Sequence, residues 1–199
     1  ALSIIVTSGG GSFNVTLQNG VNGYTGCVDA WITADSPTTN FGEDVTAHLQ
    51  YNTQDRQVHK FDLSSIPSNA TITSATMSFY VYQLSGGTPN VGCYRILTQW
   101  DEAQVTYNNR LTSTAWGTPG LLSGTDYAAT AIANSGNISA VGWANFTITS
   151  TVQAWVNGSQ AKYGVMYKET SAGHLRTYMS EYATDTSRRP KLYVSYTTP

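Results

Sequence analysis

The clearest pattern in the 199-residue chain is ATMSFYVY, in which Ala75, Met77, Phe79 and Val81 alternate with Thr76, Ser78, Tyr80 and Tyr82. A period of two puts one set on a buried face and the other on solvent, which predicts a half-buried β-strand. Alternating or β-branched runs recur at 13–17, 28–33, 58–63, 91–97, 144–148, 163–167 and 191–196. Turn residues separate them, as in NGVNGYTG, SSIPSN, LSGGTPN and TDTSRRP. The expectation is an all-β chain of roughly ten strands, folded as a two-sheet β-sandwich or jelly roll. One stretch departs from this period. In STVQAWVNG, Val152, Trp155 and Val156 stand at i, i+3 and i+4, Ser150 and Thr151 offer a start, and Gly158 offers a stop. That predicts a short helix near 150–157 closing one end of the sandwich, with Trp155 as a core plug.

The first eleven residues, ALSIIVTSGGG, form a separate unit. Leu2, Ile4 and Val6 share one face of an extended strand, and a lone apolar strand leaves both its side chains and its backbone groups unsatisfied. Three glycines at 9–11 provide a hinge with no side chain to obstruct it. Residues 1–11 therefore read as a donor-type strand and linker ahead of a sandwich domain at 12–199. Such a strand completes either an open edge on a neighbouring subunit or its own sheet. Both partners fit the pattern.

Composition narrows the setting. With ten Lys and Arg, twelve Asp and Glu and a net charge of −2, the chain carries no basic field for nucleic acid. No apolar run approaches the ~20 residues needed to cross a bilayer. Thr, Ser, Asn, Tyr and Gly fill polar positions where Lys and Glu would be usual, which suggests a secreted, extracellular protein. A first residue other than Met fits a mature form after leader removal, or a trimmed chain. Cys27 and Cys93, an even pair in such a setting, are expected to be bridged, with ~4 kcal/mol available from loop closure. Sequons at Asn14, Asn69, Asn137 and Asn157 are candidate glycan sites, and Asn145 is a weaker one inside an expected strand.

Catalytic patterns are not found. The adjacent acids Glu43–Asp44 and Asp101–Glu102 suit loop capping better than glycoside cleavage, and His48, His59 and His174 are scattered. No nucleophile elbow, zinc helix or phosphate loop is present. Asp29 and Asp35 offer hard oxygen ligands that could suit calcium, but turn chemistry explains the same residues, so no cofactor is expected. For sugar binding, Tyr80, Tyr82, Tyr94, Arg56, Lys60 and Arg95 could supply stacking rings and basic groups on one sheet.

Five motifs in order, GYTGCVDAWITADSPTTNFG, HKFDLSSIPSNATITSATMSFYVY, TQWDEAQVTYNN, TSTVQAWVNGSQAKYGVMYK and RTYMSEYATDTSRRPKLYVSY, resemble the DNRLRE-type, disaggregatase-related domain. The resemblance covers about residues 13–198. It implies a carbohydrate-binding-module-like β-sandwich, non-catalytic, of the kind that accompanies polysaccharide-active enzymes or surface proteins. With the detached strand, it leads to the expectation of a secreted structural subunit that adds its N-terminal strand to identical neighbours and builds a surface filament. The alternative is an extracellular polysaccharide-binding module without catalytic activity. Neither reading requires nucleic acid or membrane as a partner.

Overall fold

The computed structural model describes residues 10–199, so Leu2, Ile4 and Val6, the proposed donor residues, lie outside the described part. Two antiparallel sheets face each other, as the alternation predicts. The first contains β1 (Ser12–Leu17), β3 (Thr46–Gln50), β5 (Thr71–Ser85), β10 (Gly142–Thr147), β12 (His174–Tyr178) and β13 (Lys191–Thr197). The second runs β2 (Cys27–Ile32), β4 (Arg56–Phe61), β11 (Val165–Glu169), β6 (Asn90–Arg95) and β9 (Ala133–Asn137). A small ribbon of β7 (Asn109–Leu111) and β8 (Thr114–Ala115) stands apart. Strands β3 and β12, with His48 and His174 facing each other in tilted contact, lacked a strong hydrophobic signal and were not anticipated.

The fifteen-residue β5 is the spine of the first sheet. It pairs with β13 along its first half, β10 along its middle and β12 along its end. Ala75, Met77, Phe79 and Val81 are all buried against the second sheet, the face their alternation assigns to them. They join Phe146, Tyr167, Val165, Leu192 and Val194 in the core between the sheets. The register of β12 on β5 skips one residue: Thr177 pairs with Val81 and Arg176 with Gln83. The bulge leaves Tyr82 as the extra residue, and bulges of this kind re-aim a side chain.

Helix α1 (Thr149–Val156) starts one residue before the expected position because the Thr149 hydroxyl accepts from Ala75 N–H at 3.0 Å, fastening its first turn to β5. Val152, Trp155 and Val156 are buried, as their spacing predicts. Gln153 secures the other side, accepting from Ile72 N–H at 2.8 Å and donating to Ala70 carbonyl at 3.1 Å. Gly158, at φ 76°, terminates the helix in the left-handed conformation that favours glycine.

A second hydrophobic cluster lies on the far side of the second sheet. The chain between β6 and β9 lays Trp100, Val105, Tyr107, Trp116, Leu121 and Tyr127 over Ala30, Ile32, Val58, Tyr94 and Met166. The second sheet is therefore buried on both faces, whereas among the described residues the first has one face without such a hydrophobic cover.

The expected disulfide is absent: Cys27 and Cys93 are both free and buried. They lie on β2 and β6, with β4 and β11 between them. Three strand spacings come to about 14 Å, well past the ~7 Å Cα limit for a bridge. Burial pushes both thiols upward in pKa. Gly11, expected to belong to a hinge, instead accepts from Thr198 N–H at 3.0 Å and so continues the pairing of β1 with β13.

Candidate functional site

The uncovered face of the first sheet carries a row of aromatic rings. Trp143 pairs across the strands with Tyr80, and their rings meet edge to face at 5.4 Å. Tyr80 lies 6.0 Å from Tyr178, the last residue of β12. Tyr178 is sandwiched: Tyr182 stacks on it at 3.8 Å, and Tyr82, turned by the bulge, at 4.6 Å. Tyr82 and Tyr182 thus end the stack with no second ring on them among the described residues, while Tyr178 has spent both faces. All five side chains are half-buried rather than covered.

Two cations flank the row. Lys191 Nζ is 3.7 Å from the centre of the Trp143 ring, and the Arg188 guanidinium is 4.9 Å from that of Tyr80. Arg188 is presented by a 3-10 turn, Thr186–Arg188, capped by Asp185, whose carboxylate accepts from Ser187 N–H and pairs with Arg188 at 2.9 Å. Desolvation lowers the pKa of Lys191, and a hydrogen bond with Tyr182 raises that of Tyr178. Beside the rings, Ser78 donates to the Asn145 side chain at 2.7 Å, and Tyr193 and Ser195 both donate to Asn14. The face offers apolar ring surface edged with hydroxyl, amide and cationic groups, the chemistry that sugar rings and their hydroxyls require.

The six residues expected to share one sheet are divided between two. Tyr80 and Tyr82 belong to the uncovered face, whereas Arg56, Lys60, Tyr94 and Arg95 stand on strands of the second sheet. Tyr94 is buried edge to face on Tyr127, with Lys168 over both rings. Arg56 donates to the Leu121 carbonyl at 3.3 Å, and Lys60 lies over buried Trp100. The reason is the covering segment at 97–131, which has no periodicity to announce that it packs on a sheet. Trp143, Tyr178, Tyr182, Arg188 and Lys191 were missed. Only Trp143, outward in the alternating GWANFT, had a readable signal. Among the sequons, Asn69, Asn137 and Asn157 are exposed, while the Asn14 and Asn145 side chains already accept hydrogen bonds within the sheet.

The acidic residues form a different arrangement from the one expected. Asp35 is exposed in a turn, and Asp29 is buried on β2, so the two do not form one ligand set. Asp29 accepts from both Ser180 N–H and Ser180 hydroxyl, while its own N–H donates to Glu102 at 2.7 Å. Carboxylate oxygens of Asp29, Glu102 and Glu181 lie within 4.8 Å of one another. Burial raises the pKa of all three, Glu102 to about 7. His59, pushed down to about 3 by burial, is neutral. Gln57 donates to Thr177, so its carbonyl takes the proton of His59 Nε2 and leaves His59 Nδ1 bare toward Asp29 at 3.8 Å. This is a hydrogen-bonded network joining the sheets, in which Glu181 Oε2 has no partner. Glu102 also borders a cavity of about 510 Å³ with Lys60, Asp62, Asp101 and Lys162. Asp101 caps Ala103 N–H at 3.2 Å, the loop role expected of it.

No curated protein matches the chain. A family model does, and its description agrees with the module-like half of the resemblance drawn from the motifs, without the DNRLRE name. Matched over residues 23–196, the chain belongs to carbohydrate-binding module family 96.

Proposed function

We propose that this domain is an extracellular polysaccharide-binding module, and that its site is the uncovered face of the first sheet. The observation that carries this reading is the aromatic row from Trp143 through Tyr80 and Tyr178 to Tyr82 and Tyr182, on a sheet face that, among the described residues, no hydrophobic cluster packs over. Family membership supports a binding role. It favours the module over the filament subunit, whose argument depends on residues 1–9.

Sugar rings stack on the faces of aromatic side chains, so the rings with a face to spare, Trp143, Tyr82 and Tyr182, would contact the chain directly. Tyr178 would hold the neighbouring rings in place. Lys191 and Arg188 would donate to hydroxyl or carboxylate oxygens at the margins. The site performs no bond chemistry; it concentrates the domain on a polymer. Affinity gel electrophoresis against neutral and uronate-containing polysaccharides tests this. Retardation by at least one polymer, abolished in a Trp143→Ala, Tyr182→Ala double variant that stays folded, is expected. Equal retardation of the double variant would refute the assignment of the face.

A further inference from the structure

The face that carries the aromatic row does not end at Tyr178. Strand β12 keeps an unbroken register with β3, so His174, Arg176 and Tyr178, each two residues apart, point to the same side, while Leu175 and Thr177 are buried on the other. Across from Arg176 stand His48 on β3 and the exposed Gln83 on β5. A second line of rings begins there. His174 meets His48 at 5.2 Å, His48 stacks on Trp31 at 4.8 Å, and Trp31 stacks on Phe41 at 4.2 Å. Arg176 therefore lies between two ring systems, the Tyr178 stack on one side and the stack of His48 and Trp31 on the other.

No partner in the chain explains why Arg176 is there. Arg56, Arg110 and Arg189 donate to main-chain carbonyls, and Arg188 pairs with Asp185. Arg176 Nε is buried with no partner, as is Nε2 of the neighbouring His174. Among the described residues no carboxylate pairs with Arg176: Asp55 acts on His48 and His174 from beyond ion-pair distance, and Asp44 accepts from the Trp31 indole N–H at 2.9 Å. Burial and the Arg176 charge lower the pKa of both imidazoles, which leaves them neutral and Arg176 as the cation. A buried donor left unmade costs stability, so a ligand that accepts from it gains what the fold does not use.

We propose that Arg176 is a polysaccharide-binding residue, and that a chain bound on the aromatic row continues across it to the stack of His48 and Trp31. The inference rests on that row being the site. Gly142 and Thr177 pair with Val81 from either side, so β10, β5, β12 and β3 are successive here, and three strand spacings make a strip ~14 Å across, wider than one sugar ring. The planar guanidinium offers several N–H donors in a fixed fork, a shape that suits neighbouring sugar oxygens. Gln83 would add an exposed amide opposite it.

Affinity gel electrophoresis of the full chain against hydroxyethyl cellulose, xylan and polygalacturonate, with thermal unfolding of the same samples, tests the inference through Arg176→Gln and Arg176→Lys. For the polymer that retards the wild type, Arg176→Gln should weaken binding about tenfold while its Tm stays level or rises, because an unpaired half-buried charge has been removed. Arg176→Lys should fall between the two, since it keeps the charge and loses the fork. A wild type that none of the three polymers retards removes the aromatic face as the site, and this inference with it. If the wild type is retarded and the Trp143→Ala, Tyr182→Ala double variant is not, yet folded Arg176→Gln behaves as wild type, the site ends at the row and this inference alone is overturned. So does an Arg176→Gln variant that loses Tm and keeps its affinity, which would make Arg176 a packing residue. Should Arg176→Gln fail to fold, Arg176→Lys decides: unchanged retardation overturns the inference, and reduced retardation at the wild-type Tm supports it.

Discussion

The outer faces of the two sheets are built from the same materials and end up with opposite roles. Each carries an aromatic ring under a lysine: Lys191 on Trp143 in the first sheet, Lys168 on Tyr94, and on Tyr127 of the covering segment, in the second. On the second sheet the segment at 97–131 brings Trp100, Trp116 and Tyr127 down onto Ala30, Ile32, Val58, Tyr94 and Met166, and together they become a hydrophobic core. On the first, among the described residues, only Tyr182 and Arg188 of the segment after β12 lie against the rings, which stay half-buried. A cation over a ring therefore does not distinguish a binding site from a packed interior in this fold. Coverage by another segment does.

The largest expected effect breaks the covered side. Trp116 is 3% exposed and donates to the Thr106 carbonyl at 3.0 Å, so Trp116→Ala should cost ~3–5 kcal/mol in urea unfolding. Polysaccharide retention should survive wherever that variant is folded. A loss below about 1 kcal/mol would show that the cover is dispensable and reopen the second face as a candidate site.

On the uncovered side the expectation inverts. Tyr182→Ala or Trp143→Ala should weaken polysaccharide binding about tenfold each, ~1.4 kcal/mol, while stability changes by no more than about 1 kcal/mol. Measuring affinity and urea midpoint on the same samples decides whether these rings serve binding or packing.

A smaller effect sits where the cover meets the sheet, at Glu102 on Asp29 N–H. Burial is the main cause that raises Glu102 from 4.5 to about 7. A carboxyl group raised in the folded state contributes stability that is fully present below about pH 4.5 and lost as pH rises through about 7. Unfolding free energy should decline across that window, and Glu102→Gln should flatten the decline. An unchanged slope would assign it to Asp29, Glu181 or Glu169. The smallest expected effect is none: reductant should leave Tm unchanged, and two thiols should react with a disulfide reagent after unfolding, since Cys27 and Cys93 are free. A Tm drop on reduction would restore the bridge.

The legibility of the chain follows from how local each cause is. The alternation through Ala75 to Val81 assigns the buried face of β5 without help, because side-chain direction in a strand depends only on the residue's own position. The same holds for Val152, Trp155 and Val156 in α1, and for Asp101 capping its own loop. Strands β3 and β12 escaped because TAHLQ and HLRTY, though they alternate, bury only Ala47, Leu49 and Leu175 as apolar residues. Tyr182 and Arg188 escaped because they sit in a turn-rich segment whose direction is set by contacts with Asn19, Val45 and Asp29, far away in the chain.

The amino-acid order by itself determined an all-β sandwich, a helix at one end and an absence of catalytic motifs, since periodicity and turn chemistry act over a few residues. Only the tertiary structure decided which sheet face stays open, which tyrosines meet, and that the two cysteines never come within bonding distance. Those outcomes depend on strand order and on where a segment without periodicity comes to lie, and both are set by the burial of the whole chain at once rather than by any stretch of it.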